Sequence, residues 1–468
     1  MMAWKIQSLG QSPWSAVLTA LCLVGALSGC GDDGDSGQPV VGDEDNNAVN
    51  NEQDPDEQEQ GLTFWQDVAP VLDASCMSCH RTGGVAPFTF ETYEEVKTWG
   101  PAIVASTKAR TMPPWLVTGD GTCGDWSHNE WLSDEALAAL EGWVDGGMLE
   151  GTPGERNPAE GISMQTTHDF MTPEFSPVRL GTPEAEFDEY RCFLVEMDDL
   201  DETRFLTGYE VFPGNEAIVH HVIANFVDPN AESGVDGMTN AERMAQLDAE
   251  SPDRLGWPCF AQAGPGVEIE SDPIAWAPGQ GAVSLPEGTG IPIEAGNVMV
   301  VQMHYNLIDD AQIGSSDVSR VALRLEESVE TTLIPFYMDY LLAFGDVIPA
   351  GETAYDYTRG FSLGDIGVPI NIKLWGMMPH MHSHGVKLKA SIRSESAGDD
   401  AVPQCLAEVN NWDYDWQRVY WYNEPVTLTP DDIWEISCTF DTSNTDQPVS
   451  AGWGTQNEMC LTVVYVSL

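Results

Sequence analysis

Apolar and polar residues follow different rhythms along this chain, and the rhythm changes three times. Residues 16–27 form a nearly unbroken apolar run containing Leu18, Leu21, Leu23 and Val24, too short to cross a bilayer as a helix. Residues 31–60 show no apolar period. Between 61 and 150 the spacing becomes helical: Trp65, Val68 and Leu72, interrupted by Pro70, then Leu137, Leu140 and Val144. Ser133 reads as an N-cap with Asp134 and Glu135 in the first turn, and Gly146-Gly147 as the stop. From about residue 160 the period shortens. Runs at 191–197, 217–226, 298–307, 321–325, 371–377, 386–392, 433–440 and 460–468 read as strands, separated by stretches rich in Gly, Pro, Asp and Asn. The pattern predicts a multidomain chain: a small all-α domain at 61–150, then two all-β, jelly-roll-like sandwiches at 160–312 and 313–468.

The first 29 residues read as a secretory signal rather than part of a fold. The run ends in Leu27-Ser28-Gly29-Cys30, which resembles the lipobox of bacterial lipoproteins. That resemblance implies cleavage before Cys30, lipidation of its thiol, and a membrane anchor at the bacterial cell envelope. Residues 30–60 hold eleven Asp and Glu and no Lys or Arg, so they are expected to form an extended, disordered tether.

Charge narrows the partners. The chain carries 75 acids against 19 bases, a net charge of −56. Phosphate binding needs clustered Lys and Arg, so nucleic acid is excluded as a partner. Export places the chain in an oxidising compartment, where disulfides and covalent haem attachment are both available. Ten cysteines are present. Cys22 leaves with the signal and Cys30 takes lipid.

Cys76-Met77-Ser78-Cys79-His80 is a C-x-x-C-H motif. Its spacing lets two thiols form thioethers to one porphyrin while the next residue reaches the iron. Half a zinc site and a redox pair are the competing readings, but zinc would want a second such pair and the chain has none. For the sixth iron ligand the choice is Met112, in Thr111-Met112-Pro113-Pro114-Trp115, with Met148 and His128 as rivals. The stretch resembles c-type cytochrome modules of bacterial multidomain proteins, which implies one covalently bound haem c in an all-α, cytochrome c-like domain.

Four short motifs in the strand-rich part call for a joint explanation: Val219-His220-His221-Val222, Gln302-Met303-His304-Tyr305, His380-Met381-His382-Ser383-His384-Gly385, and Glu458-Met459-Cys460. Residues i and i+2 share a face of a strand, so His380 and His382 can hold one metal, and His384 could replace His380 by the same spacing. A Met thioether is soft and suits copper cycling between two oxidation states. His220, His221 and His304 suit copper or zinc. Neighbours on a regular strand point to opposite faces, so His220 and His221 can share a metal only where the strand bends or ends.

In order and spacing the four motifs resemble the copper type II ascorbate-dependent monooxygenases. The resemblance implies two sandwich domains, each with one copper. His220, His221 and His304 would hold the electron-transfer copper. His380, His382 and Met459 would hold the catalytic copper. A family disulfide corresponds to Cys438 and Cys460. Of the remaining cysteines, Cys123, Cys192, Cys259 and Cys405, the pairing is open apart from a guess of Cys192 with Cys259.

The implied reaction inserts one oxygen of O2 into a substrate C–H bond, which requires two electrons from an external donor. The peptide-processing members carry an Arg where this chain has Met378, and an Asn and a Tyr where it has Leu461 and Val463. A glycine-extended peptide is therefore not expected, and the replacements point to a small, fairly apolar substrate. Two functions compete: an exported copper monooxygenase supplied with electrons by a fused haem, and a lipid-anchored electron-transfer or copper-binding protein on the same scaffold without hydroxylase activity.

Overall fold

The computed structural model describes residues 61–468, apart from 83, 85, 159–163, 182–185, 198–199, 260–261, 279, 340, 342–344, 365–367, 399–401 and 453–456. The signal, Cys30 and the acidic tether lie outside the described residues. No described helix is long and apolar enough to cross a membrane.

A π-helical turn, Phe64–Val68, runs directly into the helix Ala69–Ser75. Pro70 sits in that helix's first turn, where a missing N–H removes no intrahelical bond, so the expected interruption does not occur. The helix Tyr93–Lys108 opens with a reciprocal capping box between Thr92 and Glu95. Ser133 caps Asp134–Asp145 by accepting the Ala136 N–H at 3.2 Å. The three helices enclose a core of Phe64, Leu72, Val96, Ile103, Leu140 and Trp143.

Two sheets then face each other around Phe193, Leu206, Val222, Phe226, Met303 and Leu323. In one, the neighbours are Trp257–Pro258, Asp188–Val195, Val298–Asn306, Val219–Val227 and Ser271–Trp276. In the other they are His168–Met171, Arg320–Glu326, Arg204–Phe212, Thr289–Ile293 and Thr331–Thr332. Val298–Asn306 lies at the centre of its sheet and buries every residue but the last, which explains its unbroken apolar run. A second pair of sheets surrounds Leu374, Met377, Leu388, Ile436, Phe440 and Val464. It is built from Ile334–Asp339, Leu461–Ser467, Ile372–His380 and Tyr420–Leu428 on one side. Tyr355–Ser362, Asp432–Phe440, Gly385–Ser394 and Gln404–Val409 form the other.

The strand Leu461–Ser467 serves both cores. Val464 and Val466 enter the second, while Val463 and Tyr465 pack against the first. Alternation along one strand thus joins the two sandwiches. It also gives Val463 a packing role, so its apolar character is accounted for without a substrate.

Two expected boundaries shift. Arg320–Glu326 pairs antiparallel with Arg204–Phe212 and sends Val321 and Leu323 into the first core. The first sandwich therefore continues past 312, because the polar, Gly-containing stretch at 309–316 is a loop between two of its own elements. The segment 115–131 leaves the helical cluster. Trp115, Val117 and Trp126 join the second core, and Cys123 forms a disulfide with Cys405.

Candidate metal centres

His220 and His221 share a side despite being adjacent. The pairing of Val219–Val227 with Val298–Asn306 shifts register between Val219 and His221. That bulge rotates one residue and brings the two rings to 4.3 Å between centroids. His304 completes the group from the neighbouring strand, and one ring nitrogen from each of the three lies within 4.8 Å of the others. His304 gives Nε2–H to Asp188 at 3.0 Å, which turns its Nδ1 towards His220 Nδ1 at 3.3 Å and His221 Nδ1 at 3.5 Å. A carboxylate behind a ligating imidazole fixes the tautomer and strengthens the donor. Burial raises the Asp188 carboxyl, but hydrogen bonds from His304 and Asn306 outweigh it and hold it below its ordinary value. Enclosure lowers His304 to about 4 despite Asp188. It also lowers His221 well below the usual imidazole value, helped by the other four histidines of the two centres. Three imidazole nitrogens this close together suit a copper or zinc ion.

The second group forms where Ile372–His380 ends. His380 and His382 stand perpendicular at 5.1 Å between ring centroids. Gln417 gives its amide N–H to the Tyr414 carbonyl at 2.7 Å, so its oxygen accepts from His380 Nδ1 at 2.5 Å. His382 Nδ1 donates to the Asn457 carbonyl at 2.9 Å. With Nδ1 so engaged on each ring, Nε2 is the nitrogen that would meet a metal. His380 pairs in antiparallel register with Leu461. The buried Met459 precedes that partner by two residues. Burial, then His382, lowers His380 to about 3. His384 turns elsewhere, with Nδ1 donating to the Asp441 carbonyl at 3.2 Å.

Glu458 organises this centre. Its fully buried carboxylate accepts the backbone N–H of His382 at 2.9 Å, of His384 at 2.6 Å and of Met459 at 3.2 Å. One side chain thus ties the H-x-H segment to the Met. The disulfide Cys438–Cys460 anchors the next residue. The two centres face one another across Tyr414, whose ring lies 6.0 Å from His220, 5.8 Å from His221 and 6.1 Å from His382 between centroids.

The N-terminal domain of the copper type II ascorbate-dependent monooxygenase family matches residues 178–312. Its C-terminal domain matches 340–467, so together they take up more than half of the chain. The chain belongs to this family. It is 25% identical over 288 residues to a dopamine beta-hydroxylase of Rattus norvegicus, covering 59% of this chain and 43% of that protein. It is 24% identical over 297 residues to the MOXD1 homolog 1 of Drosophila melanogaster, covering 59% and 39%. A tyramine beta-hydroxylase of Caenorhabditis briggsae matches at 22% over 295 residues, covering 59% and 45%. The chain spans less than half the length of these relatives.

In this family member Cys192 pairs with Cys259, the guess made from sequence, and Cys123 with Cys405, a pairing the spacing did not suggest. Sequence reasoning missed Asp188, Tyr414, Asp415 and Gln417, all of which contact or position the candidate ligand histidines. Glu458 stood in a quoted motif, but a single Glu carries no mark of threefold hydrogen bonding.

The Cys76, Cys79 and His80 side chains line a cavity of about 1460 Å³ together with Met112, His128 and Trp115. The two cysteines are free thiols. Burial, then the neighbouring Cys79, pushes Cys76 up to about 12. His80 Nδ1 donates to the Phe88 carbonyl at 3.1 Å and its ring stacks on Phe90 at 4.2 Å, leaving Nε2 free of that bond. The Trp115 Nε1 is a buried donor without a partner. Of the rival sixth ligands, Met148 is not among the lining residues. His128 is engaged with Glu130 at 3.5 Å.

Proposed function

We propose that the chain is an exported, lipid-anchored monooxygenase that hydroxylates a C–H bond of a small, fairly apolar molecule. One oxygen atom of O2 enters the substrate and the other leaves as water, consuming two electrons and two protons. The observation that carries this is the pair of imidazole-rich centres meeting across Tyr414. His220, His221 and His304 would hold an electron-transfer copper, and His380, His382 and Met459 a catalytic one. Copper would supply the one-electron steps and the activation of O2. The chain's own residues fix the donors: Asp188 and Gln417 set imidazole tautomers, and Glu458 aligns three backbone N–H groups. The relatives' names speak of dopamine and tyramine. Met378 in place of a family Arg favours a substrate without a carboxylate.

Cys76, Cys79, His80 and Met112 would hold a haem c, which would supply the electrons. The fit rests on adjacent thiols and the His80 Nε2 left open. A Met ligand would raise the haem potential. An external reductant recharges the haem.

The test is metal analysis and a haem stain on the exported chain, followed by turnover under labelled O2. Two coppers and one haem per chain are expected, with label in the product. Met459→Ile should abolish hydroxylation while the haem is still reduced. Fewer than two coppers, or no labelled product from any apolar or amine substrate, would falsify the enzyme reading in favour of a copper-holding protein.

A further inference from the structure

We infer that residues 414–418 couple the Cys76/Cys79/His80 cavity to the His380/His382/Met459 centre, with Gln417 the positioning residue at which the two meet. This rests on the haem reading above.

The segment is the common wall of three sites. Trp416, Gln417 and Arg418 line the cavity. On the cavity side Arg418 is paired with Glu130 at 2.5 Å, and its guanidinium lies 5.7 Å from the Trp115 ring centroid. Arg418 and Glu130 line the same cavity as Cys79, where haem attachment is expected. The next residue, Gln417, takes the His380 Nδ1 proton at 2.5 Å and is itself locked by its bond to the Tyr414 carbonyl at 2.7 Å. Trp412 Nε1 donates to the His382 carbonyl at 3.0 Å, pinning the same loop to the same centre. From Arg418 through one peptide bond, the Gln417 side chain and one short hydrogen bond, the cavity wall reaches the His380 imidazole.

The other centre has a poorer link. His220 meets this segment at Asp415, 3.4 Å away. Asp415 is exposed and does not line the cavity. Electron tunnelling decays more slowly through covalent and hydrogen-bonded links than across gaps or solvent. The wall therefore delivers electrons to the His380 centre directly, not by way of the His220 centre. In the step concerned one electron leaves ferrous haem and reduces one cupric ion. The iron becomes ferric, the copper cuprous, and no proton has to move.

The test uses the full chain with haem and both coppers cupric. A flash-generated flavin semiquinone reduces the haem, and its reoxidation is followed in the visible band at several protein concentrations. The expected rate is independent of concentration, persists in His220→Ala and is lost in His382→Ala. Gln417→Ala should slow it on the order of tenfold, the usual effect of removing a ligand's supporting partner. The same variant should alter the electron-spin hyperfine pattern of the His380 copper alone. Gln417→Glu, which keeps an acceptor at the same reach, should restore the rate. An unchanged rate in Gln417→Ala or His382→Ala, or loss of reoxidation in His220→Ala, overturns the route while leaving the haem reading standing. A chain isolated without haem overturns that reading and the route with it.

Discussion

A single carboxylate, Glu458, holds three backbone N–H groups that belong to two separate parts of the second centre. Hydrogen bonds to a charged acceptor contribute roughly 1.5–3 kcal/mol each, so removing them loosens the His382 and Met459 backbones together. Glu458→Gln keeps one acceptor oxygen and should weaken copper at the His380/His382/Met459 centre about 10–100-fold, leaving the His220 centre intact. Copper titration with spin resonance on each centre checks this; equal loss at both would mean general unfolding instead. The histidines themselves make a second expectation. His304 and His380 are lowered from 6.5 to about 4 and about 3, chiefly by burial. In the unfolded chain they take up protons as pH falls through 6.5, whereas in the folded chain they resist until about 4 and about 3. The unfolded state thus binds more protons across that window, and the metal-free chain loses stability as pH falls through it. Bound copper keeps these imidazoles neutral to still lower pH in the folded chain while the unfolded chain goes on taking up protons, so calorimetry should show the loaded chain losing as much over the window and more than the metal-free chain below about 4. A loaded chain that loses less than the metal-free one would count against it.

Regular elements carry the ligands, and their interruptions aim them. The bulge at Val219/His221 turns two adjacent histidines to one side, and the end of Ile372–His380 frees His382 from strand alternation. The strand runs that bear the ligands were legible because burial on a sheet leaves long apolar stretches. The histidines were legible because few other roles explain six of them in three short motifs. The helix Tyr93–Lys108 was not, since Gly100 and Pro101 lie in its middle, and Pro101 is tolerated only because packing of Val96 and Ile103 outweighs propensity. Asn240–Ala249 was missed because it buries just Asn240, Met244 and Leu247. Asp188, Glu458 and Gln417 could not be told from the many other acids and amides, because their roles arise from contacts between distant strands. The same is true of Cys123–Cys405, which closes a separation of 282 residues and fastens the segment 115–131 to Gln404–Val409. Replacing both cysteines by serine should cost about 2–5 kcal/mol in denaturant unfolding. It should also loosen Trp115 at the cavity wall, read as a shift in the haem band. A haem spectrum and stability identical to wild type would show that packing of Val117 and Trp126 suffices to hold the segment.

At the scale of the whole molecule, charge sets the remaining expectation. With 75 acids against 19 bases, most carboxylates have no cation to pair with. Several of the bases are already paired: Arg156 with Asp73, Arg254 with Glu189, Arg418 with Glu130 and, at the surface, Arg179 with Asp310. Salt has two opposing effects on such a molecule. It screens these attractions, and it screens the repulsion among the unpaired acids. The buried partners, Asp73 and Glu189 among them, are shielded little because solvent ions do not reach them. The surface repulsion is screened fully, since the Debye length falls from roughly 10 Å at 0.1 M to about 3 Å at 1 M. The excess of acids therefore decides the sign, and sodium chloride should raise the melting temperature across that range. Chloride is the salt to use, because sulfate also stabilises proteins by exclusion from their surface and would mimic the effect. A melting temperature that stays flat or falls would mean that the acids are spaced widely enough for water alone to screen them. In that case the acidic surface confers solubility on the fold without straining it.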